Sequence, residues 1–502
     1  MRGGTRTVHD NQRADGSPQH DRKTHLTAID KIHTRIPGLD EVLHGGIPRG
    51  RATLISGGPG TGKTMLGLEV LYRAALNGEP GILVSFEESA EALRRNALSL
   101  GWDLTELEDA GKLRVLDGRI DPSAVRAGDF DIAGFLAILG GQSAAMGAQC
   151  VVIDAIDGLL RVFASLRQER DQLELLHRWL IEHELASILT IKSPNSDSNS
   201  YDFLDYMVDC VIKLDQRVTG QISTRRLRVV KYRGSNFERN EYPFAMTPTG
   251  IRLVPISGIE LVHEASEDVF SVGNSAIDRL LGGGFFRASS ILISGASGTG
   301  KTSIASGVAR AACERGEKVL YVQFEESSPT MVARMLSPGI DLRPAIEAGL
   351  LLIDAVIPEA MGVEEHLIRV LGIVEDYAPD MVVVDAITAA SRMSTSEAAY
   401  DFLVRLINAC RRQGITVLLT HQAQEITDRT SVGAMGLSSL LDTVIILSYE
   451  EEAETLHRSI LVLKSRGMSH SLKRHRFEIT DAGIRVTDRE GDMQDRGEGG
   501  RS

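Results

Sequence analysis

Apolar residues recur along this chain with two periods. Short runs such as Ala52-Thr-Leu-Ile55, Val151-Val-Ile-Asp154, Ser289-Ser-Ile-Leu-Ile293 and Val382-Val-Val-Asp385 are apolar or β-branched almost throughout. That is the pattern of strands covered on both faces. Between such runs lie stretches with a single apolar face. Leu173, Leu176 and Leu180 share one side of a helical wheel amid Arg170, Glu174 and Glu182, as suits a helix packed on a sheet. Strands alternating with amphipathic helices predict an α/β fold with a mainly parallel sheet covered by helices. Late in each series, Asp209-Cys-Val-Ile-Lys-Leu214 with Arg226-Leu-Arg-Val-Val230, and Asp442-Thr-Val-Ile-Ile-Leu447 with Ser459-Ile-Leu-Val-Leu463, read as hairpin strands at the end of the sheet.

The series occurs twice. Ser56-Gly-Gly-Pro-Gly-Thr-Gly-Lys-Thr64 and Ser294-Gly-Ala-Ser-Gly-Thr-Gly-Lys-Thr302 place Lys63 and Lys301 238 residues apart. Val84-Ser-Phe-Glu-Glu-Ser89 and Val322-Gln-Phe-Glu-Glu-Ser327 follow, with Glu87 and Glu325 each 24 residues after its lysine. Lys231-Tyr-Arg233-Gly234 and Lys464-Ser-Arg466-Gly467 repeat near the ends, their lysines each 19 residues before the glycine of a Gly-Ile-Arg segment. So many segments recurring in the same order with matching internal spacings predict two tandem copies of one domain. They are expected over residues 26–258 and 259–488, with the boundary around Pro255 to Ser271. The polar arm of residues 1–25 and the Gly-, Asp-, Glu- and Arg-rich tail of residues 489–502 are expected to be disordered.

Each Gly-x-x-x-x-Gly-Lys-Thr segment follows a strand pattern and precedes a helical one, the setting of a phosphate-binding loop. Gly57, Gly58, Gly60 and Gly62 with Thr61, and Gly295, Gly298 and Gly300 with Thr299, let backbone N–H groups close around phosphate oxygens. Lys63 and Lys301 reach the outer phosphates, and the Thr64 and Thr302 hydroxyls suit magnesium. A glycine-rich turn that binds nothing is the plainer reading, and two full matches in context set it aside. Asp154 and Asp385, each ending a strand, suit the second carboxylate for magnesium, directly or through water; without a phosphate loop each would read as a solvent-facing strand end. Glu87, Glu88, Glu325 and Glu326 are candidate general bases, or carboxylates favoured by a helix N-terminus, since Ser89 and Ser328-Pro329 look like helix starts. Lys231, Arg233, Lys464 and Arg466 fit two descriptions equally well: solvated hairpin tips, or cations offered to the phosphate of an adjacent subunit.

Composition narrows the class. The 502 residues are 42% hydrophobic and 25% charged with a net charge of −13, which disfavours a protein that works mainly by neutralising nucleic-acid phosphates. Cys150, Cys210, Cys313 and Cys410 are dispersed without a Cys-x-x-Cys pair, so neither a zinc site nor a disulfide framework is expected. No apolar run is long enough to span a bilayer and no signal peptide is evident, which favours the cytoplasm. A DNA-binding RecA- or RadA-like motor is the main rival to an ATP-hydrolysing switch. A nucleotide-gated scaffold with little catalysis is the third reading.

From about Thr34 to Asp488 the chain resembles the KaiC family, two-domain circadian clock ATPases of the RecA-like superfamily. The resemblance rests on the paired Phe-Glu-Glu segments, Gly101-Trp-Asp-Leu104, Glu241-Tyr-Pro-Phe244, Gly282-Gly-Gly-Phe-Phe286 and the two Lys-x-Arg-Gly segments. It implies homohexamers with ATP between neighbours, a first domain that mainly hydrolyses ATP, and a second that phosphorylates a neighbouring copy. On that footing Glu87 and Glu88 activate water, and Glu325 and Glu326 activate an acceptor hydroxyl. Lys464 and Arg466 reach a neighbour's phosphates with Arg392 close by. The adjacent acceptors fall on Ser438 and Ser439, which by themselves would read as a turn or cap. Gly433 stands where the family carries a further hydroxyl, and the tail past Asp488 does not resemble the segment that binds KaiA. Leu116 to Ala133, with Asp121-Pro122, resembles the loop region used with KaiB, which implies a KaiB-like partner.

Overall fold

The doubly apolar runs become the central strands of two sheets. The computed structural model of the chain describes residues 29–119, 132–163, 165–192, 202–219, 222–254, 267–389, 396–423, 440–452 and 455–487. In the first half, β1 (Ala52–Gly57), β2 (Gly81–Ser85), β3 (Leu113–Asp117), β4 (Cys150–Asp154), β5 (Ala186–Lys192) and β6 (Cys210–Thr219) run parallel in the order β3-β2-β4-β5-β1-β6. β7 (Ile222–Tyr232), β8 (Glu241–Thr247) and β9 (Gly250–Leu253) extend the sheet by successive antiparallel pairs.

The second half repeats this arrangement strand for strand. β10 (Ser290–Gly295), β11 (Val319–Gln323), β12 (Leu351–Ala355), β13 (Met381–Asp385), β14 (Thr416–Gln422) and β15 (Thr443–Glu452) take the parallel order β12-β11-β13-β14-β10-β15. β16 (Thr455–Ser465), β17 (His475–Thr480) and β18 (Gly483–Thr487) close it antiparallel. Two mainly parallel α/β sheets in tandem are the expected fold, and the late segments form the expected hairpins, β6 with β7 and β15 with β16.

Alternation across each pleat explains why both faces need helices. Leu83 and Val152 join Leu66 and Leu71 of α1 (Lys63–Leu76) in one core, while Val84 and Val151 join Leu173, Leu176 and Leu180 of α2 (Leu166–Glu182) in the other. Each fully buried leucine contributes about 1.5 to 3 kcal/mol relative to exposure, so α2 is held by its apolar stripe. In the second half α3 (Lys301–Glu314) covers Tyr321 and Val383, and α4 (Val363–Tyr377) with α5 (Ser396–Arg412) covers Leu320, Val322 and Val382.

The halves also touch. β8 lies against α4, and Arg252 pairs with Glu375 at 2.7 Å while Arg226 approaches Glu364 at 3.5 Å. All four cysteines are buried free thiols. Among the described residues no helix is long and apolar enough to cross a membrane. The arm, the tail and most of the expected boundary segment lie outside the described residues, as does most of the segment from Leu116 to Ala133.

Candidate nucleotide sites at the carboxyl ends of the sheets

Parallel sheets place their ligand crevice beyond the carboxyl ends of the strands, and the candidate residues collect there in both halves. β1 runs into the first glycine-rich loop and α1 begins at Lys63, preceded by Gly62 in the left-handed region at φ 98°. No side chain caps that helix start, which leaves its first N–H groups and its positive dipole end for an anion. A side chain at Gly62 would also meet the Met246 methyl, 2.1 Å from an added Cβ. The second loop matches, with Gly300 at φ 104° before α3.

Both lysines are drawn back onto their own loops. Lys63 Nζ donates to Gly58 O at 2.8 Å, and Lys301 Nζ donates to Gly295 O and Ala296 O, each at 2.9 Å. Burial lowers the pKa of both from the ordinary lysine value, and the nearby carboxylates only partly oppose it, Asp154 with Glu87 in one half and Asp385 with Glu325 in the other. A partly desolvated ammonium whose partners are neutral carbonyls is suited to receive phosphate oxygens.

Register brings the acid groups beside the loop. Ser85 pairs with Asp154, and Gln323 with Asp385, so the Phe-Glu-Glu segment leaves the sheet level with each aspartate. Thr190 Oγ1 donates to Asp154 Oδ1 at 2.6 Å, and Thr64 Oγ1 lies 3.1 Å from both Asp154 oxygens. Burial raises the Asp154 pKa more than these donors lower it. A buried carboxylate beside a threonine hydroxyl is a hard oxygen donor set, and it fits magnesium that takes its remaining ligands from phosphate and water. Asp385 is bonded by Thr420 and by the phenol of Tyr321 at 3.0 Å. Lys301, Thr302, Glu325 and Asp385 line one cavity of about 320 Å³.

The structure separates the paired glutamates, which adjacency in sequence could not. Glu87 and Glu325 are exposed at the crevice, whereas Glu88 and Glu326 are half-buried and tied down. Asn96 Nδ2 donates to Glu88 Oε2 at 2.9 Å, and Arg334 Nη1 lies 3.0 Å from Glu326 Oε2. Ser89 and Ser328-Pro329 stand at the expected helix starts, and the Ser89 hydroxyl accepts from Ala92 N.

Lys231 and Lys464 are half-buried, whereas Arg233 and Arg466 stay exposed in the turns that follow. They sit where β7 and β16 end, opposite the amino ends of β6 and β15. β6 runs parallel to β1 with Leu214 beside Gly57, and Lys231 pairs with Val211 three residues earlier, so Lys231 is roughly 10 Å of strand from its own loop. Lys231 Nζ donates to the carbonyls of Asp205 (2.6 Å), Tyr206 (3.2 Å) and Val208 (2.6 Å), and Arg233 donates to Tyr206 O at 2.8 Å. The reason is local: the last carbonyls of the Asp202–Met207 helix need donors. Lys464 donates to Leu441 O at 2.7 Å, and Arg466 lies 3.7 Å from Asp442. Within one chain these cations do not meet a phosphate loop.

Two arginines do, and sequence reasoning passed over them. Arg225 Nε donates to Gly60 O and Arg458 Nε to Gly298 O, both at 3.2 Å. Each precedes its Lys-x-Arg-Gly lysine by 6 residues, a shared spacing that was available as a signal. Arg392, Ser438 and Ser439 lie outside the described residues.

Strand order, loop, lysine, aspartate and glutamate in this arrangement are those of a P-loop ATPase fold with two candidate nucleotide sites. A family profile described as "ATPase: KaiC" matches residues 32–258 and again 271–491. The chain is 36% identical over 458 residues to the circadian clock protein KaiC2 of Synechocystis, covering 90% of this chain and 81% of that one. It is 32% identical to the circadian clock oscillator protein KaiC of Picosynechococcus (92% and 90% covered) and 32% identical to that of Synechococcus elongatus (92% and 90%). The chain belongs to the KaiC family of ATPases.

Proposed function

We propose that this chain is an ATP- and magnesium-dependent switch that hydrolyses ATP in its first half and transfers phosphate to serine in its second, within a ring of about six copies. The observation that carries the second-half reading is Glu325, exposed in the same cavity as Lys301, Thr302 and Asp385 while its neighbour Glu326 is held away by Arg334. Lys301 exchanges its loop carbonyls for the outer phosphates. Thr302 and Asp385 would hold magnesium, which when bound would offset the charge of the phosphates. The hydroxyl of Ser438 or Ser439 from a neighbouring copy attacks the terminal phosphorus; the new O–P bond forms as the bond to the ADP oxygen breaks, and Glu325 takes the hydroxyl proton. In the first half Lys63, Thr64 and Asp154 take the matching roles, and Glu87 orients water with Glu88 beside it. Lys231, Arg233, Lys464, Arg466 and Arg392 serve a neighbour's phosphates.

The relatives named for the circadian clock support a timing or signalling role. A KaiB-like protein is the partner proposed for the segment from Leu116 to Ala133. KaiA binding is left out, because the tail lacks the corresponding resemblance. A cytoplasmic location accords with the four free thiols.

Glu325→Gln tests the central assignment, since Gln keeps size and hydrogen bonding but cannot take a proton. Loss of a general base lowers rate by about 10² to 10⁴, so phosphate on Ser438 and Ser439 should vanish from phosphopeptide maps after a short incubation with ATP. Hydrolysis at the first site should continue. Wild-type protein that hydrolyses ATP and never labels would leave an ATPase switch without kinase activity.

A further inference from the structure

Asp154 and Asp385 end equivalent strands, yet their carboxylates are held by different donors. Thr190 and its counterpart Thr420 each donate to Oδ1. The other oxygen differs. Thr64 of the first loop sits between both oxygens of Asp154, whereas Oδ2 of Asp385 accepts from the Tyr321 phenol at 3.0 Å. Among the described residues Thr302 makes no bond to Asp385.

Tyr321 lies on β11 and is fully buried. The residue 238 positions earlier, on β2, is Leu83, also fully buried. A second position has changed with it. Fully buried Ser306 of α3 adjoins the phenol without a fully aligned hydrogen bond, where α1 carries fully buried Leu68. The first half shows that two leucines fill this part of the fold with no polar atom. Buried hydroxyls destabilise a core unless they are bonded, so packing alone does not account for the pair. The bond that Tyr321 does make falls on the aspartate beside the phosphate loop.

We infer that Tyr321 is a positioning residue specific to the second site. Its hydroxyl and that of Thr420 fix both oxygens of Asp385, and so the plane of the carboxylate, while the Thr302 hydroxyl stays open to a divalent cation arriving with a nucleoside triphosphate. The first site has no such brace: there the Thr64 hydroxyl is itself shared with the Asp154 carboxylate, whose orientation depends on it. The two halves therefore differ in their demand for metal, the second being set in advance. This rests on the reading of both loops as magnesium–nucleotide sites.

The test uses the full chain with saturating AMP-PNP and Mn²⁺ as the probe, free Mn²⁺ being followed by electron paramagnetic resonance. Wild type is expected to bind two Mn²⁺ per chain, and Lys301→Ala removes the ion assigned to the second site. Tyr321→Phe should weaken that ion about tenfold, as loss of an outer-shell partner typically does, and leave the first-site ion unchanged. Tyr321→Leu, which restores the first-half residue, should do the same. Metal-free binding of AMP-PNP should not change in either variant; a parallel loss there would mark a structural role and overturn the inference. Two wild-type ions, neither moved by Tyr321→Phe, would also overturn it while sparing the nucleotide-site reading. A single wild-type ion that survives Lys301→Ala would overturn that reading itself.

Discussion

Glu69 shows how a single buried charge ties the first phosphate-loop helix to the edge of its sheet. It lies on α1 with no exposed surface, accepts from Ile251 N of β9 at 2.7 Å and from Arg73 Nε at 2.8 Å. Burial raises its pKa, and the Ile251 and Arg73 bonds only partly oppose the rise. A carboxyl group with a folded pKa above its unfolded value binds more protons when folded, so its ionisation subtracts stability as pH rises through the raised value. Glu69→Gln keeps an acceptor for Ile251 N and removes that ionisation. The variant's urea midpoint should vary less than wild type between about pH 4.5, near the ordinary glutamate value, and pH 8, with its advantage on the alkaline side. A midpoint difference that grows toward acid would reverse the sign and remove the argument. The second half carries Gly307 at this position, so the charge is a property of the first half alone.

At the scale of elements, what could be read in advance was whatever is periodic. Doubly apolar runs gave the strands of both sheets, and Leu173, Leu176 and Leu180 gave the buried face of α2, because burial repeats with the geometry of the element. The phosphate loops were equally open to reading, since their chemistry is local in sequence. Contacts between distant elements have no such signature. Nothing near Glu87 and Glu88 says which one faces the crevice; that is decided eight residues beyond Glu88 by Asn96, and beyond Glu326 by Arg334. The environment of Lys231 was hidden for the same reason, as its carbonyl partners belong to a helix more than twenty positions earlier. Lys231→Met keeps the aliphatic stem and leaves those carbonyls without the ammonium. A loss of about 1 to 3 kcal/mol is expected, measured by denaturant unfolding without nucleotide so that any catalytic role of the lysine is silent. Unchanged stability would mean that water replaces the ammonium at no cost.

For the whole molecule, the decisive fact is that each half holds a loop, an aspartate and an exposed glutamate at one end of its sheet and its spare cations at the other. Lys231 and Arg233 are tied to carbonyls at the amino end of β6, away from their own loop, but a second copy could bring its loop to them. Tyr206, 77% exposed, adjoins the same corner through its carbonyl, which accepts from both cations, and a large exposed aromatic beside cations suits a contact with another chain. Repetition of one such head-to-tail contact closes a ring when the rotation allows. ATP with magnesium should therefore drive the chain from small species to a ring of about six copies, the size implied by the family resemblance, and sedimentation velocity with and without nucleotide follows the shift. Tyr206→Asp should raise the protein concentration needed for assembly and leave unfolding of the isolated chain unchanged. Lys63→Ala should impair assembly more than Lys301→Ala if the first half governs ring formation. Chains that stay monomeric at saturating ATP while turning it over at the wild-type rate would show that the sites are complete within one copy. The cations at the far ends of β6 and β15 would then be structural caps and nothing more.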